Sequence, residues 1–185
     1  MGIFTSRRVH ERVDNLTRRP EPVNGISIPT VRNLNESAII NPEFGAVLTA
    51  GPSSIEVDWG HPNHRVWTFD DVEDTYYGPQ LHQVEEMVFW GADQEDLLVH
   101  CHAGISRSTA TAWGVCIAKG LDPYKSALAL SQAHPMENYG LKETYRWFSP
   151  NPLLVSHLQT IFNDTSLLDV LRDVLTVEGR STYGI

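Results

Sequence analysis

The sequence predicts an α/β domain in which helices pack on a small sheet. Three observations carry that expectation. Short extended segments crowd the first hundred residues, helical spacing dominates the rest of the chain, and the two interleave around residues 81–119. At 185 residues the chain is most economically one domain, long enough to bury a core without disulfides or metal.

Residues 1–24 are polar and end in RRPEPVNG, whose prolines and Asn24-Gly25 pair read as linker and turn. They are expected to form a basic arm ahead of a domain at 25–179, with 180–185 as a tail. Five arginines in that arm (Arg7, Arg8, Arg12, Arg18, Arg19) suit a solvated segment or a contact for an acidic partner. Extended candidates lie at 38–40, 46–49, 55–57, 65–69 and 97–100, several separated by turn residues such as Asn41-Pro42 and Ala50-Gly51-Pro52. Leu81, Val84 and Val88 fall on one helical face between Gly78-Pro79 and Gly91. A second helix over 108–119 puts Ala110, Trp113 and Ile117 together. Asp122-Pro123 and Asn151-Pro152 each pair a capping side chain with a proline suited to the first helical position, opening helices at 124–133 and 153–162. Leu167, Leu168, Leu171, Val174 and Leu175 mark a last amphipathic helix.

Composition removes several function classes. No apolar run approaches the roughly 20 residues of a membrane span. The start, MGIFTSRRVHERVDN, lacks the apolar stretch of a secretory signal. Gly2 and Ser6 match a myristoylation consensus only loosely. A formal net charge of −9 opposes broad nucleic-acid binding. Two cysteines cannot build a disulfide framework, so a reducing, cytoplasmic setting is expected.

The chemistry concentrates in HCHAGISRS, residues 100–108, between an apolar run (Leu97, Leu98, Val99) and an Ala-rich helical pattern. Five residues between Cys101 and Arg107 are enough to curl the backbone around one centre, with Gly104 free to take a conformation closed to other residues. The N-terminus of the next helix adds unpaired amides and a positive dipole end. Such a nest holds a tetrahedral dianion, and Arg107 offers a planar fork to two of its oxygens. The same dipoles favour the thiolate of Cys101, so one loop binds the oxyanion and activates the atom that attacks it.

His-Cys, five residues, Arg and Ser resembles the signature of the cysteine-dependent protein tyrosine phosphatases. The spelling is most similar to their compact dual-specificity branch and its bacterial and phage relatives, over roughly residues 38–165. The resemblance implies a small, central, mostly parallel sheet flanked by helices. It also implies a two-step hydrolysis of phosphate monoesters on phosphotyrosine, with phosphoserine and phosphothreonine as further candidates. Cys101 is then the nucleophile. Arg107 and the amides of His102, Ala103, Gly104, Ile105 and Ser106 bind phosphate, and no cofactor or metal is implied. The partner is a phosphorylated protein or peptide, with neither nucleic acid nor membrane involved.

That chemistry needs an acid for the leaving oxygen. In WTFDDVED, Asp71 lies thirty residues before Cys101, and relatives with a Phe-Asp-Asp spelling use the second aspartate. Asp70 is the runner-up and Asp74 a distant third. Ser108 matches the hydroxyl that helps the thiolate depart, although a first-turn hydroxyl satisfying an orphan amide explains it too. His100 is implied to orient the cysteine. Asn151, within SPNP at 149–152, matches an asparagine that ties a later helix to the loop, and a plain helix cap accounts for it nearly as well. The run HPMENYGLKETYRWF, 134–148, is longer than in compact relatives; Tyr139, Tyr145, Trp147 and Phe148 either wall the pocket or pack. Cys116 is expected in the core, with a redox partner of Cys101 as the other reading.

Rival chemistries fit less well. Consecutive His100, Cys101 and His102 would chelate a metal poorly, because neighbours in a strand point to opposite faces. No Gly-Lys-Ser/Thr is present to make a nucleotide loop. Sulfur transferases and arsenate reductases also hold oxyanions in Cys loops, but the flanking His100 and Ser108 and the Asp70-Asp71 pair favour phosphoryl hydrolysis. Lipid and polyphosphate phosphatases often place lysines within this loop, and HAGIS has none. A non-protein monoester, or a catalytically weak phosphate-binding module, are the alternatives.

Overall fold

The computed structural model describes residues 14–52, 59–133 and 148–177. Four strands form one sheet: β1 (Thr30–Arg32), β2 (Ala46–Gly51), β3 (His64–Thr68) and β4 (Leu97–His100). Their order is β1-β4-β2-β3, and every pairing is parallel. The helices are α1 (Leu34–Ile40), α2 (Leu81–Ala92), α3 (Arg107–Ala118), α4 (Pro123–Ala133), α5 (Pro152–Phe162) and α6 (Leu167–Val177). No described helix is long and apolar enough to cross a membrane.

Strand alternation sends successive side chains to opposite faces, and both faces are covered at β1, β2 and β4, while the edge strand β3 is partly exposed. Val31, Leu48 and Val99 join the larger core with Val88, Val115, Leu158 and Leu171 from the helices. Val47 and Leu98 face the other way, onto Ile40, Phe44 and Leu16. Leu16 packs into that second layer, and Val23 into the larger core. Leu16 and Val23 are buried, and Arg19 lies over the Phe44 ring while bridging to Asp96 at 2.8 Å. Within the segment expected as a polar arm, Leu16 and Val23 are buried while most of its other described residues are exposed.

Strands expected at 46–49 and 97–100 are present, and that expected at 65–69 begins one residue earlier. The expected strand at 38–40 is instead the end of α1. Asn33 caps it by accepting the Glu36 amide at 2.9 Å, a signal that outweighs the β-branched Ile39-Ile40 pair. β1, three residues long, carried too short a pattern to be seen. The candidate at 55–57 lies outside the described residues, as do Tyr139, Tyr145 and Trp147; Phe148 is fully buried in the core.

The five later helices appear where expected. Both proline-led starts are capped as anticipated: Asp122 accepts from Lys125 N at 2.8 Å and Asn151 from Leu154 N at 3.0 Å. Gly91, read as a helix end, lies inside α2, where a Cβ would come within 2.6 Å of Val115. α3 has no solvent face over its first ten residues, because the sheet, α2, α4 and α5 surround it. The Ala110–Trp113–Ile117 stripe understated that burial.

Candidate active site

β4 ends at His100 and α3 begins at Arg107, so Cys101 through Ser106 form the loop joining a central strand to the most buried helix. Three of its carbonyls are taken by donors outside it. Leu34 N donates to His102 O (3.1 Å), Ser149 N to Ile105 O (3.1 Å) and Asn151 N to Ser106 O (3.4 Å). Because the peptide is planar and trans, each such carbonyl directs the next residue's N–H the opposite way, at Ala103, Ser106 and Arg107. Thr109 Oγ1 also donates to the Ile105 and Ser106 carbonyls, holding that turn. Gly104, at φ +73°, packs so closely that a Cβ would lie 2.8 Å from the Arg32 and Asn33 backbone. No other residue fits there.

Inside the loop, Cys101 is buried, and its Sγ receives the Gly104 amide at 3.2 Å and lies 3.2 Å from Ser108 Oγ. Arg107 is buried too. Its Nη1 donates to the Phe69 carbonyl at 2.9 Å, which fixes the plane of the guanidinium, while its Nε is buried with no hydrogen-bond partner. Asp71 Oδ2 stands 3.8 Å from that Nε. The other carboxylate oxygen is committed: Oδ1 accepts from Ser106 Oγ at 2.7 Å and from Asn151 Nδ2 at 2.9 Å. Asp70 and Asp74 differ. Asp70 is exposed, and its backbone pairs with Tyr77; the Asp74 carboxylate accepts the Tyr76 amide within its own turn.

Asn151 makes contacts through both its side chain and its backbone. Its Oδ1 caps α5, its Nδ2 reaches Asp71 and the Val72 carbonyl, and its backbone N–H meets the loop. His102 and Ala103 are exposed at the rim, Ile105 and Ser106 half-buried.

His100, immediately before Cys101, is fully buried. Burial, with the nearby His64 second, pushes its imidazole down to about 3, so it is neutral at physiological pH. Its Nε2 is 2.6 Å from Thr49 Oγ1, which in turn is 2.7 Å from His64 Nε2, and Trp59 stacks on both rings. No local pattern pointed to Thr49, His64, Trp59 or the Phe69 carbonyl. They come from three other segments, and only the tertiary fold brings them together. Cys116 is fully buried, and burial pushes its thiol up to about 12, which suits core packing rather than redox exchange. Among the described residues, no three His, Cys, Asp or Glu side chains gather where a metal could be held.

No family model and no curated protein matches the sequence. Solved structures do. Human DUSP28 superposes with a TM-score of 0.54 at 16% identity, covering 83% of this chain and 95% of its own. DUSP15 gives 0.53 at 18%, covering 83% and 94%. A human tyrosine phosphatase-like serine/threonine/tyrosine-interacting protein gives 0.51 at 14%, covering 78% and 95%. Strand order, the loop between β4 and α3, and these superpositions agree: the chain has the fold of the cysteine-dependent tyrosine and dual-specificity phosphatases.

Proposed function

We propose that this protein hydrolyses phosphate monoesters on protein side chains through a cysteinyl phosphate. The observation that carries the reading is the Arg107 Nε, buried without a hydrogen-bond partner, beside a loop whose Gly104 amide reaches Cys101 Sγ and whose His102, Ile105 and Ser106 carbonyls are held from outside. A buried guanidinium N–H without an acceptor is costly, and a phosphate oxygen supplies the acceptor.

Cys101 Sγ attacks phosphorus, the S–P bond forms, and the P–O bond to the leaving oxygen breaks. Asp71 gives that oxygen a proton from Oδ2, the carboxylate oxygen not held by Ser106 and Asn151. Water then attacks the cysteinyl phosphate and passes its proton back to Asp71. The S–P bond breaks, inorganic phosphate leaves, and Ser108 Oγ donates to the departing sulfur. Through both steps Arg107 and the loop amides stabilise charge on the equatorial oxygens. This route needs no cofactor.

Phosphotyrosine is the first candidate substrate, with phosphoserine and phosphothreonine beside it. The absence of lysine from HAGIS supports a monoester on a protein over a polyphosphorylated lipid. A thiol nucleophile also suits the reducing cytoplasm as its setting.

The test is turnover of p-nitrophenyl phosphate by wild type and Cys101→Ser, with vanadate binding measured on both. The expected result is a loss of at least about 10³-fold in the variant with vanadate affinity kept, since the cradle remains. Absence of wild-type turnover with vanadate still bound makes the protein a phosphate-binding module instead.

A further inference from the structure

Thr49 Oγ1 sits between two imidazole nitrogens, 2.6 Å from His100 Nε2 and 2.7 Å from His64 Nε2. The hydroxyl has a single proton and donates to at most one nitrogen, so a relay through it runs by donating to one and accepting from the other. The three residues come from neighbouring strands: Thr49 pairs with His100 in the β2–β4 register, and His64 starts β3 beside β2. Trp59 holds both rings in place, its centroid 4.6 Å from that of His100 and 5.6 Å from that of His64. The chain of bonds thus has two possible directions, and each fixes a different tautomer of His100.

The other end of the ring bears on the choice. His100 Nδ1 is buried without a hydrogen-bond partner, and the neighbouring Cys101 backbone favours protonation of the ring. If Nδ1 carries the proton, Nε2 is an acceptor, Thr49 must donate to it, and Thr49 must accept from His64 Nε2–H. We propose that Thr49 and His64 are positioning residues that hold His100 in its Nδ1–H tautomer and so hold the Cys101 peptide at the start of the loop. The His64 end of the chain begins on the edge strand β3. The tautomer itself depends on nothing else; its consequence for rate rests on Cys101 being the nucleophile.

The experiment is ¹⁵N–¹H NMR of the histidine rings in the full chain for wild type, Thr49→Val, His64→Phe and His64→Gln, with kcat and KM for p-nitrophenyl phosphate. In wild type His100 is the Nδ1–H tautomer. His64→Phe removes the donor, leaves the Thr49 hydroxyl to point either way, and yields a mixture of tautomers. Thr49→Val removes the only described partner of Nε2 and gives the same loss. The Gln amide donates as His64 did, so His64→Gln returns the Nδ1–H form, which packing alone does not explain. Where His100 shifts, kcat falls with KM unchanged, and His64→Gln recovers both. A wild-type His100 protonated on Nε2, or one tautomer throughout the series, overturns the proposal. An inactive wild type with the expected tautomer pattern overturns the hydrolase reading and leaves this one standing.

Discussion

Two adjacent aspartates, Asp70 and Asp71, share a loop and differ in what holds them. Asp71 has one oxygen pinned by Ser106 and Asn151 and the other close to Arg107, whereas Asp70 faces solvent. An acid must present its proton at a fixed place, so Asp71→Ala is expected to slow aryl phosphate turnover by about 10²–10⁴ with vanadate binding intact. Asp70→Ala should stay close to wild type, and a larger loss there than at Asp71 would move the acid by one position. His100 makes a different demand at the same scale. Folded, it takes a proton only near pH 3, while the unfolded chain takes one near the ordinary histidine value of about 6.5. Between those values unfolding absorbs a proton, so stability is unaffected above about pH 6.5 and falls as the pH drops toward 3. Urea midpoints from pH 7 to 4 check this: His100→Gln should lose part of the wild-type slope, and an unchanged slope would show that His100 does not set it.

Elements are placed by close approaches that leave no room for side chains. Gly114 in the middle of α3 would put a Cβ within 2.6 Å of Leu158 on α5 and 2.7 Å of Val88 on α2. Three helices therefore meet at one backbone atom, about two turns past the Cys101–Ser106 loop. Gly114→Val is expected to destabilise the protein by about 1–3 kcal/mol through overpacking. A urea midpoint equal to wild type would show that α5 gives way without cost. Because α5 also starts with Asn151, the same substitution should reduce activity along with stability. Elements also show where the sequence could be read and where it could not. Caps such as Asp122-Pro123 and Asn151-Pro152 are local chemistry, legible from neighbouring letters, and both helices start there. The missed α1 start, Asn33 with Glu36, was legible in the same terms and was outweighed by the β-branched residues beside it.

Over the whole molecule, one sheet with both faces covered at β1, β2 and β4 carries the site at the end of its central strand, β4. The loop after β4 was legible because Cys101, Gly104, Arg107 and Ser108 lie within eight residues. The proposed acid, Asp71, was picked out by its spacing, and the fold brings its carboxylate to Ser106, Asn151 and Arg107. The Thr49–His64–Trp59 support was not, since residues from three segments meet only after folding, and neither was the packing of Leu16 and Val23 on the body, two apolar residues isolated in a polar stretch. A net charge of −9 adds a constraint at this scale: under the proposed function, phosphate is drawn in by local dipoles and Arg107 against the overall field. The central claim is that a single sulfur at the base of that loop takes the phosphoryl group. Acid-quenched turnover of a phosphotyrosine peptide, followed by mass mapping, tests it directly. One phosphate is expected on the peptide bearing Cys101, absent from Cys101→Ser; turnover with no phosphate ever trapped on that sulfur, or phosphate found on another residue, would contradict the claim.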